Sequence, residues 1–81
     1  MVKKLKVTYN DYEYVFDEAM DKNYYVLYLK DEFECVAVVI DIENKIAEIH
    51  GIGNYTSCLD DININVGSTL LKITLKMIKK I

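Results

Sequence analysis

The chemistry open to this chain starts from three side chains, His50, Cys35 and Cys58. His50 is the only histidine and stands two residues after Glu48, in the run IAEIHGI at 46–52. On a strand beside Gly51, His50 is a candidate proton shuttle, although a lone histidine is more often structural. Cys58, in a polar stretch, is a nucleophile candidate with His50 as its base. Cys35 lies in an apolar, β-branched run and reads as core. A zinc site needs several such ligands together, and one histidine with two well-separated cysteines does not supply them, so no metal is expected.

Two local patterns fail on inspection. Asp61-Ile62-Asn63-Ile64-Asn65 copies the opening of a calcium-binding loop, D-x-N-x-N. Its sixth position holds Val66 where Gly is needed, and its twelfth holds Lys72 where Glu is needed. The stretch therefore reads as a turn-rich loop whose Asn side chains bond nearby backbone. Asn54-Tyr55-Thr56 is a glycosylation acceptor pattern with meaning only in a secreted chain.

Composition narrows the function classes. Of 81 residues, 52% are hydrophobic, above the roughly 45–50% of an average soluble domain, which excludes intrinsic disorder. No apolar run is long enough for a membrane-spanning helix, and MVKKLKVTY has no signal-peptide core, so a cytoplasmic protein is expected. All ten basic residues are Lys. Without the planar guanidinium fork, specific duplex DNA recognition is not expected. Net charge is −3, made of +3 in residues 1–6, −10 in residues 7–61 and +4 in residues 62–81. Either the basic ends neutralise the acidic middle, or that middle attracts a basic partner.

These residues must be positioned by few elements. Residues 4–9 alternate, with Leu5, Val7 and Tyr9 on one side, and residues 12–16 place Tyr12, Tyr14 and Phe16 together. Asn10-Asp11 between them predicts a hairpin turn. Residues 24–30, 33–42 and 46–52 read as a meander of three strands, the middle one apolar on both faces. Residues 53–66 read as an irregular loop. Residues 67–81 read as a helix with Ser68 or Thr69 as N-cap and Lys79 and Lys80 in its last turn. The expectation is a single α+β domain over 1–81: an antiparallel five-stranded sheet with one C-terminal helix on one face.

The order strand, turn, strand, turn, strand, loop, helix from about Tyr24 to Ile81 resembles the central part of the GNAT family of N-acetyltransferases. The most similar piece is Asn63-Ile64-Asn65-Val66-Gly67-Ser68-Thr69-Leu70-Leu71. In that family an Arg/Gln-x-x-Gly-x-Gly/Ala loop precedes a leucine-rich helix. Gly67 matches the last loop glycine, while Asn65 stands at the first and Ile62 at the leading Arg or Gln. The resemblance implies acetyl-CoA as cofactor and, on the strand before the loop, Glu48 as general base with His50 as its rival. It places Ile49, Gly51 and Ile52 along the pantetheine arm, beside His50, and Asn65, Gly67, Ser68 and Thr69 near the phosphates. The family's next strand and helix would fall beyond Ile81.

A second reading takes the apolar excess as an interface. One helix covers one face of the central strands, and the other face is left open. Tyr24, Tyr25, Tyr28 and Phe33 are its candidate interface residues, since tyrosine suits both sheet packing and interface cores. This reading leads: a small non-enzymatic binding or inhibitor protein, of phage or virus type, without cofactor, dimeric or bound to a protein partner in the host cytoplasm. A reduced acyl-CoA-binding acetyltransferase is the alternative.

Overall fold

The structure, a computed structural model, describes residues 4–19, 24–32, 34–51, 53–60, 62–67 and 69–81. It is built from strands β1 (Lys4–Tyr9), β2 (Tyr12–Glu18), β3 (Tyr24–Lys30), β4 (Cys35–Asp41), β5 (Ile46–His50), β6 (Tyr55–Cys58), β7 (Ile62–Val66), β8 (Thr69–Ile73) and β9 (Ile78–Lys80), with one 3-10 turn at Leu75–Met77. Seven strands form an antiparallel sheet in the order β6-β5-β4-β3-β2-β1-β9, and β7 and β8 form a separate hairpin.

The first hairpin follows from local chemistry. Asn10 and Asp11 have φ of 52° and 64°, the left-handed pair that a tight two-residue turn requires and that Asn and Asp tolerate. Tyr9 pairs with Tyr12, and alternation carries Leu5, Val7, Tyr14 and Phe16 to one face. The β4–β5 turn is held by Asp41, which is buried and accepts from the Asn44 backbone N–H at 3.2 Å and from Asn44 Nδ2 at 2.8 Å. Lys45 completes that turn with φ of 58°.

The α+β expectation is corrected by the last third of the chain. Residues 67–81 form no helix: β8 alternates Leu71 and Ile73 inward with Leu70 and Lys72 outward, and β9 adds to the edge of β1. The stretch read as loop contains β7, in which Ile62, Ile64 and Val66 are buried and Asn63 and Asn65 exposed. Val66 pairs with Thr69 across a turn where Gly67 has φ of 60°. A Cβ on Gly67 would also overlap the Asp31 carboxylate, so this position needs glycine.

The reason lies in the inner face of the large sheet. Leu5, Val7, Phe16, Val36, Val38, Ile40, Ala47 and Ile49 are buried in one cluster with Ile62, Ile64, Val66, Leu71 and Ile73. Two short strands with five inward apolar side chains cover that curled surface, and the period-2 pattern outranks the helical one. The outer face of β2–β5 has no second layer over it among the described residues.

Candidate functional site

The β3 side of the sheet and the β1–β2 side separate. β3 pairs with β4 at seven positions, and β1 with β2 at six. β2 and β3 pair only at Asp17–Val26 and Glu18–Tyr25. Among the described residues no further register pair joins Tyr12–Phe16 to Leu27–Lys30, and a cavity lies beside that stretch on each face. The split opens on both faces. On the outside it forms a cleft of about 490 Å³ with Val15, Val26 and Tyr28 against Asp17 and Glu18. On the inside it forms a groove of about 450 Å³ with Tyr9, Tyr12 and Tyr14 on one wall and Leu29, Thr69 and Leu70 on the other. The Tyr12 and Tyr14 rings lie 6.3 Å apart, tilted by 38°.

Large apolar side chains concentrate here. Six are exposed among the described residues: Tyr12 (70%), Val15 (39%), Tyr28 (64%), Leu70 (40%), Leu75 and Ile81. The first four line the split, two at each mouth. Scattered exposed apolar residues are ordinary, but their clustering at one opening marks an interaction surface.

The expected interface residues divide. Tyr28 lies on the outer face and is the most exposed apolar side chain of the outer cleft. Tyr24 is half-buried, and Tyr25 turns inward and is buried in the core. Phe33 lies outside the described residues. On the hairpin face of Tyr9, Tyr12 and Tyr14, Tyr12 is exposed, whereas Tyr9 and Tyr14 are partly buried against the core.

The expected catalytic residues sit on the outer face of β5. Glu48 and His50 are both partly exposed, with His50 Nε2 3.5 Å from Glu48 Oε1, a pair that is ionic only when His50 is protonated. Cys58 pairs with Ile46, four residues along β5 from His50, which places it about 13 Å away along the strand. The Cys58–His50 dyad is therefore not formed. Cys35 is exposed at the start of β4 rather than core, and in register it is a diagonal neighbour of His50, roughly 7 Å between Cα atoms. Among the described residues no His, Cys, Asp or Glu cluster could hold a metal ion.

The residues tied to acetyl-CoA do not assemble as the resemblance implied. Ile49 is buried in the core, whereas its neighbours Glu48 and His50 face the opposite side of the sheet. Asn65, Gly67 and Thr69 belong to the β7–β8 hairpin. Ile52 and Ser68 lie outside the described residues. No helix follows Gly67, so the amide-lined helix end that would receive a pyrophosphate is not built, and the acetyltransferase-like architecture is set aside. No protein-family model, curated protein or solved structure matches this chain. Among the described residues no helix is long and apolar enough to cross a membrane.

Proposed function

We propose that this chain is a small non-enzymatic interaction protein whose outer sheet face associates with a protein surface, a second copy of itself being its first partner. The observation that carries this reading is the outer face itself. Val15, Val26, Tyr28, Ala37 and Val39 occupy its middle, with Val15 and Tyr28 exposed. Opposite-sign pairs flank them, Lys4 to Asp17 at 3.0 Å and Lys6 to Glu13 at 3.5 Å. Such exposed pairs add little stability, but they leave the face electrically balanced, which suits self-complementary docking about a two-fold axis.

Surface area agrees. A compact monomer of this mass presents about 5000 Å². The chain presents 5640 Å² with a radius of gyration of 11.9 Å, close to the roughly 11.7 Å of a compact domain of this length, so elongation does not account for the excess. An excess of about 600 Å² is what an open sheet face with uncovered apolar side chains produces.

Sedimentation velocity at high micromolar concentration tests this. The expected mass is twice the 9.4 kDa of the chain, and Tyr28→Lys is expected to return a single-chain mass with an unchanged thermal midpoint. A wild-type protein that sediments as one chain overturns self-association through this face.

A further inference from the structure

We infer that the split between β2 and β3 is a docking slot for an extended, basic peptide segment, which enters as an added strand. The inference deepens the binding reading, because it assigns a class of partner to a place that the outer face only borders. Two observations meet there. First, the register between β2 and β3 stops after two pairs, so the Tyr12–Phe16 and Leu27–Lys30 edges are not paired with each other, and strand edges left so are what strand addition uses. Second, side chains of an inserted strand alternate between faces, and the split offers an apolar mouth on each: the tyrosine groove inside, and Val15 with Tyr28 outside.

Charge selects the occupant. Asp17 and Glu13 are answered by Lys4 and Lys6, which leaves Asp11 and Glu32, exposed beyond the wide end, and Glu18 at the apex, against Lys30 on the β3 edge. The field along the slot is negative, so Lys or Arg side chains on the incoming segment are favoured and acidic ones are repelled. The slot is about five residues long on the β2 side, enough for a short motif rather than a folded domain.

The alternative to an added strand is closure of the split on itself. The register Asp17–Val26, continued, would set Val15 against Tyr28 and Glu13 against Lys30. Amide hydrogen exchange on the free full-length chain separates the two. The slot requires fast exchange on the facing edges of Tyr12–Phe16 and Leu27–Lys30; strong protection at both edges in the free protein would mean they pair with each other, and overturns the proposal.

The binding test uses an end-blocked heptapeptide of alternating Lys and Val, followed by amide chemical shifts of the full chain. Saturable shifts confined to the two edges are expected, with exchange there slowed on binding. Three controls are each expected to weaken affinity at least tenfold: main-chain N-methylation of alternate peptide residues, Glu in place of Lys in the peptide, and the double variant Glu18→Lys, Glu32→Lys, both at exposed positions, whose thermal midpoint should match the wild type. Absence of saturable shifts at millimolar peptide overturns the proposal. So does equal binding by the N-methylated peptide, which would show adhesion by charge without strand pairing. Shifts centred on β4 and β5 would place binding on the outer face and also overturn the slot. The sedimentation result stands apart from all of these, so loss of the dimer does not decide the slot, and loss of the slot does not decide the dimer.

Discussion

Val36, Ala37, Val38, Val39 and Ile40 are five consecutive apolar residues on β4, yet they have two fates. Val36, Val38 and Ile40 meet the β7–β8 hairpin and are almost wholly buried, at 3%, 0% and 0% exposure. Ala37 and Val39 point the other way, onto a face with no second layer, and are only partly buried. On the far side of β3, β2 repeats the contrast with Phe16 inside and Val15 outside. Residue type does not separate the faces; the hairpin that caps one of them does. The inner face is thus where stability resides, and the outer face is where apolar area is held at little structural benefit to the isolated chain.

The largest expected effect tests that division on one strand. Phe16→Ala should cost about 3–5 kcal/mol, most of the roughly 4–12 kcal/mol available to a domain of this length, whereas Val15→Ala should stay within about 0.5 kcal/mol. Urea unfolding of the two variants measures both, and comparable losses would erase the distinction between faces. Next in size is the same contrast on the capping hairpin. Leu71→Ala should destabilise by about 2–4 kcal/mol and Leu70→Ala by less than about 1 kcal/mol, because Leu71 is buried and Leu70 lines the open groove. On a helix those neighbours would not differ in this alternating way with Lys72 and Ile73, so near-equal losses would argue against β8. The smallest effect sharpens the comparison at the sheet end. Asp41→Ala should cost about 1–2 kcal/mol, as the Asn44 backbone N–H and side-chain amide lose their acceptor. Thermal denaturation reads that loss, and a neutral result would show that the β4–β5 turn holds without it.

The first five strands were legible because two signals agreed there. Alternation in KLKVTY and the Asn10-Asp11 turn point to the same hairpin, and the apolar run on β4 has no competing period. In the last third the signals conflict. ININV alternates without fault, but its Asn residues have poor strand propensity and its surroundings imitate a calcium loop. Lys72, Lys76, Lys79 and Lys80 share one side of a helical projection, which suggested a helix, while Leu71 and Ile73 carry the strand period over only a few residues. Tertiary demand decides: an open apolar face needs a cover whose inward side chains alternate. The candidate site was legible in part. Tyr28 could be placed on the open face, but whether Tyr24 or its neighbour Tyr25 turns inward depends on register. The groove at Tyr9, Tyr12 and Tyr14 arises because two strands separate, a relation between hairpins that no local pattern encodes.

The pairing of β9 with β1 has a consequence for how the chain reaches this state. Val7 bonds across to Ile78, so the sheet is finished only by joining segments about 70 residues apart, a closure that costs roughly 4 kcal/mol of chain entropy before any contact repays it. On a ribosome, β1 and β2 emerge early and wait with one flank open until residues 78–80 have cleared the exit tunnel. Completion of the sheet is therefore slow for its size, and the flank of β1 is the strand edge most in need of protection during that interval.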